Sequence, residues 1–156
     1  MAEFLHRSLT EEDTTALARE LSKLAVAGDV ILLEGQIGAG KSFLCRQFIR
    51  ALLGPNEEVP SPTFTLVQTY DGPECEIWHC DLYRLTHADD VFELGLEDAF
   101  DDAVSLIEWP DRLGADIPVS ALWLRFSLGD NEGERMISLS SQNEKWSRWI
   151  AEKSST

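Results

Sequence analysis

Gly35-Gln36-Ile37-Gly38-Ala39-Gly40-Lys41-Ser42 is a complete GxxxxGK[ST] phosphate-binding loop. It stands between the apolar run Asp29-Val30-Ile31-Leu32-Leu33, which reads as a buried strand, and Phe43 to Leu53, which reads as a helix. Each fixed residue answers a demand of a polyphosphate. Gly35, Gly38 and Gly40, with Ala39 between the last two, let the backbone turn its N–H groups toward an anion, and Lys41 brings a positive charge to the outer phosphates. Ser42 offers a hydroxyl to the magnesium ion that bridges them, and the helix that begins here, with Phe43 in its first turn, presents its positive dipole end. A glycine-rich turn that binds nothing would not need this strand-loop-helix setting. The stretch therefore predicts nucleotide binding.

Working outward, Thr10 is a good N-cap, Glu11, Glu12 and Asp13 fill a first helical turn, and Leu17, Leu21 and Leu24 follow at helical spacing, with Gly28 as the stop. After the central helix, Gly54-Pro55 closes it. Ser61-Pro62-Thr63-Phe64-Thr65 begins as a proline-fixed loop that becomes a β-rich strand by Tyr70. Asp71-Gly72-Pro73 turns the chain into a second strand, Cys75 to Asp81, and such a hairpin would mix antiparallel strands into the sheet. His87 to Leu94 reads as a short helix ended by Gly95, and Ala103 to Ile107 as a buried strand running into Glu108-Trp109-Pro110. Strands near 121–128 and 135–139 flank a polar turn, and an amphipathic stretch around Trp146, Trp149 and Ile150 precedes a polar tail from about residue 151. The predicted fold class is α/β, a P-loop NTPase-like three-layer sandwich with a mixed central sheet.

The 156 residues, 44% hydrophobic and 26% charged, suit one domain with one sizeable core. No signal-peptide pattern and no membrane-length apolar run is present, so a soluble cytoplasmic protein is expected. Cys45, Cys75 and Cys80 are odd in number and form no CxxC pair, which argues against a disulfide framework and a zinc site. The formal net charge of −15 argues against direct binding of RNA or DNA and suits a solvated acidic face or docking on a basic protein.

Hydrolysis or transfer also needs acids for the metal and a group that places the nucleophile. Asp81 and Glu108 both stand at strand ends, where either can approach magnesium directly or through water. Thr63 and Thr65 lie where nucleotide switches reach the γ-phosphate, although as bare residues the reading as ordinary turn and strand threonines is favoured. No NKxD sequence reads guanine, which leaves adenine as the expected base. His79 alternates with Trp78 and Cys80 inside a strand, and a structural histidine is favoured over a catalytic base. Arg84, Arg125 and Arg135 are candidates to face the phosphates or to pair with surface acids, and spacing does not choose among them.

Taken with Ser61-Pro62-Thr63-Phe64-Thr65-Leu66-Val67, His79-Cys80-Asp81-Leu82-Tyr83-Arg84-Leu85, Leu94-Gly95-Leu96 and Ile107-Glu108-Trp109-Pro110, the loop resembles the TsaE (YjeE) ATPases of tRNA threonylcarbamoyladenosine biosynthesis. The blocks occur in family order over roughly residues 10 to 112, and the match is loose from Leu113 onward. The resemblance implies a weak magnesium-dependent ATPase that binds ATP and ADP, works with the partners TsaB and TsaD, and meets tRNA only through them. It would assign Lys41 to the phosphates, Ser42 and Glu108 to magnesium, and Asp81 to the hydrolytic centre or the metal. Thr63 would lie in a switch-like loop, Trp109 beside the site and the segment from Glu11 to Thr14 near the adenine. Ser42 stands where the family usually has threonine, and Gln36 where it usually has aspartate. The same loop also serves small-molecule kinases and slow nucleotide-dependent assembly switches, which are the alternatives.

Overall fold

The computed structural model describes residues 2–87 and 90–155. Seven strands form one mixed sheet: β1 (Ala2–Ser8), β2 (Val30–Glu34), β3 (Val67–Asp71), β4 (Glu76–Asp81), β5 (Val104–Glu108), β6 (Leu122–Leu128) and β7 (Arg135–Ser141). Their order is β1-β7-β6-β2-β5-β4-β3. β6, β2, β5 and β4 are mutually parallel, whereas β3, β7 and β1 join antiparallel at the two sides. The central strands β2 and β5 are apolar on both faces because helical layers cover both.

One layer holds α1 (Glu11–Leu24), α2 (Lys41–Leu53) and α5 (Glu144–Ser154), whose Leu17, Leu21, Phe48, Trp146 and Ile150 pack with Ile31 and Leu106 of the sheet. The other holds α3 (Asp90–Leu94), α4 (Leu96–Asp102) and a 3-10 segment (Pro110–Asp116), where Leu96 and Leu113 meet Leu32, Cys80 and Ile107. Strand alternation decides which layer a residue of β4 meets. Ile77 joins the α2 side and Cys80 the opposite side, so His79 and Asp81 share the α2 side with Ile77.

The β3–β4 hairpin is present, and Thr10 caps α1 by accepting from the Asp13 N–H at 3.3 Å. Several expectations need correction. β1 was not anticipated, because its polarity does not follow its burial: Phe4, His6 and Ser8 are the more buried positions, while the apolar Leu5 between them is 56% exposed. α1 stops at Leu24, before Gly28, with Ala25 extended as its C-cap. Gly95 does end a helix, but the chain enters α4 at once. The helix predicted from His87 to Leu94 includes residues outside those described; His87 itself is not helical, and the helix that is described is Asp90–Leu94. The residues from 151, read as a tail, continue α5 to Ser154. No helix of the described residues is long and apolar enough to cross a membrane.

Candidate functional site

The glycine loop leaves the carboxyl end of β2 and enters α2, whose N-cap Gly40 has φ 108°, a left-handed conformation that glycine adopts freely. Gly35 is needed for a different reason: a Cβ there would lie 2.8 Å from the Phe126 carbonyl oxygen. Lys41 at the first position of α2 is buried, donates to the Gly35 carbonyl, and holds its ammonium 4.0 Å from the centre of the Trp109 ring. Burial lowers the Lys41 pKa, against the attraction of Glu108 and Asp81.

The register of the parallel strands brings the two acids together, since Asp81 pairs with Glu108. Both are buried at the carboxyl ends of their strands. Ser42 Oγ donates to Glu108 Oε1 at 2.9 Å, with Oε2 at 3.1 Å, which leaves the lone pairs of the hydroxyl available to a cation. His79 Nε2 lies 2.7 Å from Glu108 Oε2, and because a carboxylate only accepts, the ring proton belongs on Nε2. Asp81 accepts from Thr63 Oγ1 at 3.2 Å and from the Tyr83 N–H at 3.0 Å. The threonine loop is further fixed by the Leu66 N–H on the Pro62 carbonyl at 2.7 Å and by the Asp81 N–H on the Leu66 carbonyl at 2.9 Å.

These groups line a cleft of about 510 Å³. Its floor is Gly38, Gly40, Lys41, Ser42 and Phe43, and its acid side is Asp81 and Glu108. Trp109 closes one wall in a left-handed conformation, φ 58° and ψ 54°, which is strained for a bulky residue and is held by its N–H on the Leu33 carbonyl at 3.3 Å. Tyr83 packs on it with ring centres 4.8 Å apart. Ser61 and Thr63 border the cleft from the proline loop, and Ile37 and Arg135 from the opposite side.

Of the residues singled out in the sequence, Gly38, Gly40, Lys41, Ser42, Phe43, Thr63, Asp81, Glu108 and Trp109 are therefore together. Gly35 reaches the site through its carbonyl, and Ala39 is buried beneath the loop. Glu11 is exposed at the start of α1 and is not among the cleft-lining residues, nor is Thr65, which accepts from Gln68 Nε2 at 2.9 Å. Among the arginines, Arg135 borders the cleft and donates to the Gly38 carbonyl at 3.3 Å, while Arg125 sits 3.5 Å from Glu34 and Arg84 over the Phe64 ring. Ile37, Ser61 and Tyr83 were not anticipated. All three lie in stretches that the sequence marks, the phosphate loop, the proline loop and the segment after Asp81, but nothing in those stretches says which side chains face the cleft.

Ser42, Glu108, Asp81 and Thr63 supply hard oxygen donors, the set that suits magnesium. Cys45, His79 and Glu108 also have ligand atoms within 4.8 Å of one another. Burial pushes the Cys45 thiol well above its ordinary pKa, so without a metal it stays protonated. The oxygen donors that line the cleft fit a hard cation there.

A glycine loop joining β2 to α2, with acids at the ends of the two adjacent parallel strands, defines a protein of the P-loop NTPase class of α/β fold. Residues 8–137 match the family model described as "Threonylcarbamoyl adenosine biosynthesis protein TsaE". The chain belongs to the TsaE family. It is 37% identical over 123 residues to the Rickettsia bellii protein named tRNA threonylcarbamoyladenosine biosynthesis protein TsaE, covering 79% of this chain and 85% of that one. The Bacillus subtilis protein of the same name is 34% identical over 136 residues, 86% and 84% of the two chains. The crystal structure of Bacillus subtilis YdiB superposes with a TM-score of 0.76 at 27% identity, over 99% of this chain and 96% of that one.

Proposed function

We propose that this protein is a magnesium-dependent ATP hydrolase that drives or resets a cytoplasmic tRNA threonylcarbamoyladenosine-modifying complex, acting with TsaB and TsaD and meeting tRNA only through them. The observation that carries the catalytic part is the linked set Lys41, Ser42, Glu108 and Asp81 around one cleft. Family membership supports the pathway.

In this reading the loop N–H groups and the Lys41 ammonium take the phosphate oxygens, and the charge that burial disfavours in the free protein is matched by the bound anion. Ser42 and Glu108 would hold the magnesium ion, with Asp81 beside them. When bound, the ion supplies electrostatic stabilisation of the phosphate oxygens. Asp81, fixed by Thr63 and the Tyr83 N–H, orients the attacking water and accepts its proton. Trp109 and Tyr83 wall the site and limit solvent around Lys41.

The test is release of phosphate from ATP, with and without magnesium and with and without TsaB and TsaD. Magnesium-dependent release that rises with the partners is expected. A Lys41→Ala protein that supports tRNA modification as well as wild type would remove the purpose of the ATPase, and transfer of the γ-phosphate to a metabolite would favour a kinase instead.

A further inference from the structure

We propose that His79 is a positioning residue of the metal-binding end of this site: it holds the Glu108 carboxylate in place for the cation. The inference rests on the magnesium-dependent ATPase reading and extends it to a side chain that strand alternation alone assigns to the core.

His79 sits on β4 two residues before Asp81, on the same side of the sheet, and lies opposite Leu106 of β5, so Glu108 is its diagonal neighbour. Both side chains are nearly inaccessible, at 1% and 3%, and their polar atoms are 2.7 Å apart. Away from water, a hydrogen bond to a charged group is stronger than one at the surface, and loss of one partner leaves the other desolvated. Among the described residues His79 Nδ1 has no hydrogen-bond partner, so no such contact on its other side places the ring. The Nε2–H on Glu108 is its polar anchor.

Among the described residues Ser42 is the other donor to this carboxylate, and it comes from the helical layer on the same side of the sheet, at the start of α2. Glu108 is thus held between a helix and a strand. Without His79, Oε2 would keep only the longer 3.1 Å contact among the described residues, and the single Ser42 hydroxyl, at 2.9 Å from Oε1, would be left to fix the carboxylate. The expected consequence falls on the cation and not on the phosphates, because His79 is not among the cleft-lining residues.

The experiment compares wild type, His79→Leu and His79→Gln by titration calorimetry with ATP over a series of magnesium concentrations and in EDTA. Glutamine offers an N–H near the position of Nε2, and leucine fills the space without one. The Leu variant should need about tenfold more magnesium for half-maximal tightening of ATP binding, the loss of one charged hydrogen bond. Its affinity in EDTA should stay within about twofold of wild type, and Gln should recover most of the magnesium dependence. Equal magnesium dependence in Leu and wild type, or an equal loss in EDTA, overturns the inference. Should the Leu protein not fold, nitrogen-15 spectra of the wild-type ring decide: a proton on Nε2, with signals that shift on adding magnesium to the ATP complex, is expected. A ring protonated on Nδ1 alone, or one insensitive to magnesium, overturns it. Absence of any magnesium effect on ATP binding by wild type would instead count against the ATPase reading itself.

Discussion

At Lys41 stability opposes the proposed function. The side chain is a cation in a buried position, and burial lowers its pKa although Glu108, Asp81 and Asp111 act to raise it. The unfolded chain therefore holds this proton more tightly than the folded one, so stability rises with pH between the lowered value and the ordinary lysine value of about 10.4. Lys41→Met should lack that alkaline rise and should melt higher than wild type at neutral pH by about 2 to 5 °C without nucleotide, while losing ATP binding by at least about 100-fold. Melting curves from pH 7 to 10 together with calorimetry check both halves. At Asp81, whose two donors hold it toward the cleft, Asp81→Asn should lower phosphate release about 10² to 10⁴-fold with ATP affinity within about threefold of wild type. Loss of binding in parallel with turnover would mean that the carboxylate holds the ligand instead of placing water.

At the scale of elements, the turn between β6 and β7 is built on Glu134, which accepts from Arg7 Nε at 2.8 Å and from Asn131 Nδ2 at 2.8 Å and so ties β1 to the sheet. The hydrogen bond from Arg7 holds the Glu134 pKa below the ordinary carboxylate range. A depressed carboxylate stabilises the fold above its unfolded pKa, and the contribution disappears as pH falls through the folded value. Glu134→Gln should therefore melt lower than wild type at pH 7, and the gap should shrink steadily below about pH 4. A gap independent of pH would show that side-chain shape, and not charge, matters there. Gly35→Ala meets the Phe126 carbonyl and should cost about 1 to 3 kcal/mol in urea unfolding. How legible these elements were follows from their physics. β2, the loop and α2 announce themselves because an all-apolar strand and a glycine loop have few alternative meanings, and the β3–β4 hairpin follows from its Asp-Gly-Pro turn. β1 and α4 were missed because their order comes from neighbours: β1 from pairing with β7, α4 from packing Leu96 under the sheet. In the site, Lys41, Ser42, Asp81 and Glu108 were readable because motif and strand end coincide. The contact of His79 with Glu108 was not, because it depends on the register between β4 and β5, which no local pattern encodes.

For the whole molecule, the net charge of −15 opposes approach to a polyanion other than through the cleft. Filter binding should therefore detect no retention of tRNA by this protein alone at physiological salt, and association with a partner complex should weaken as salt rises if basic surfaces meet the acidic one. Tight tRNA binding by the isolated chain would contradict the assignment of RNA contact to partners. The Thr63 loop, Asp81 and Trp109 meet the phosphate loop at one end of the sheet, around the cleft proposed to take the nucleotide. The most direct test is the rate of phosphate release from ATP by wild type and Lys41→Met, each measured with magnesium and with EDTA in the presence of TsaB and TsaD. The account predicts release by wild type with magnesium alone and none above background in the other three conditions. Release that persists in EDTA or survives Lys41→Met would contradict it.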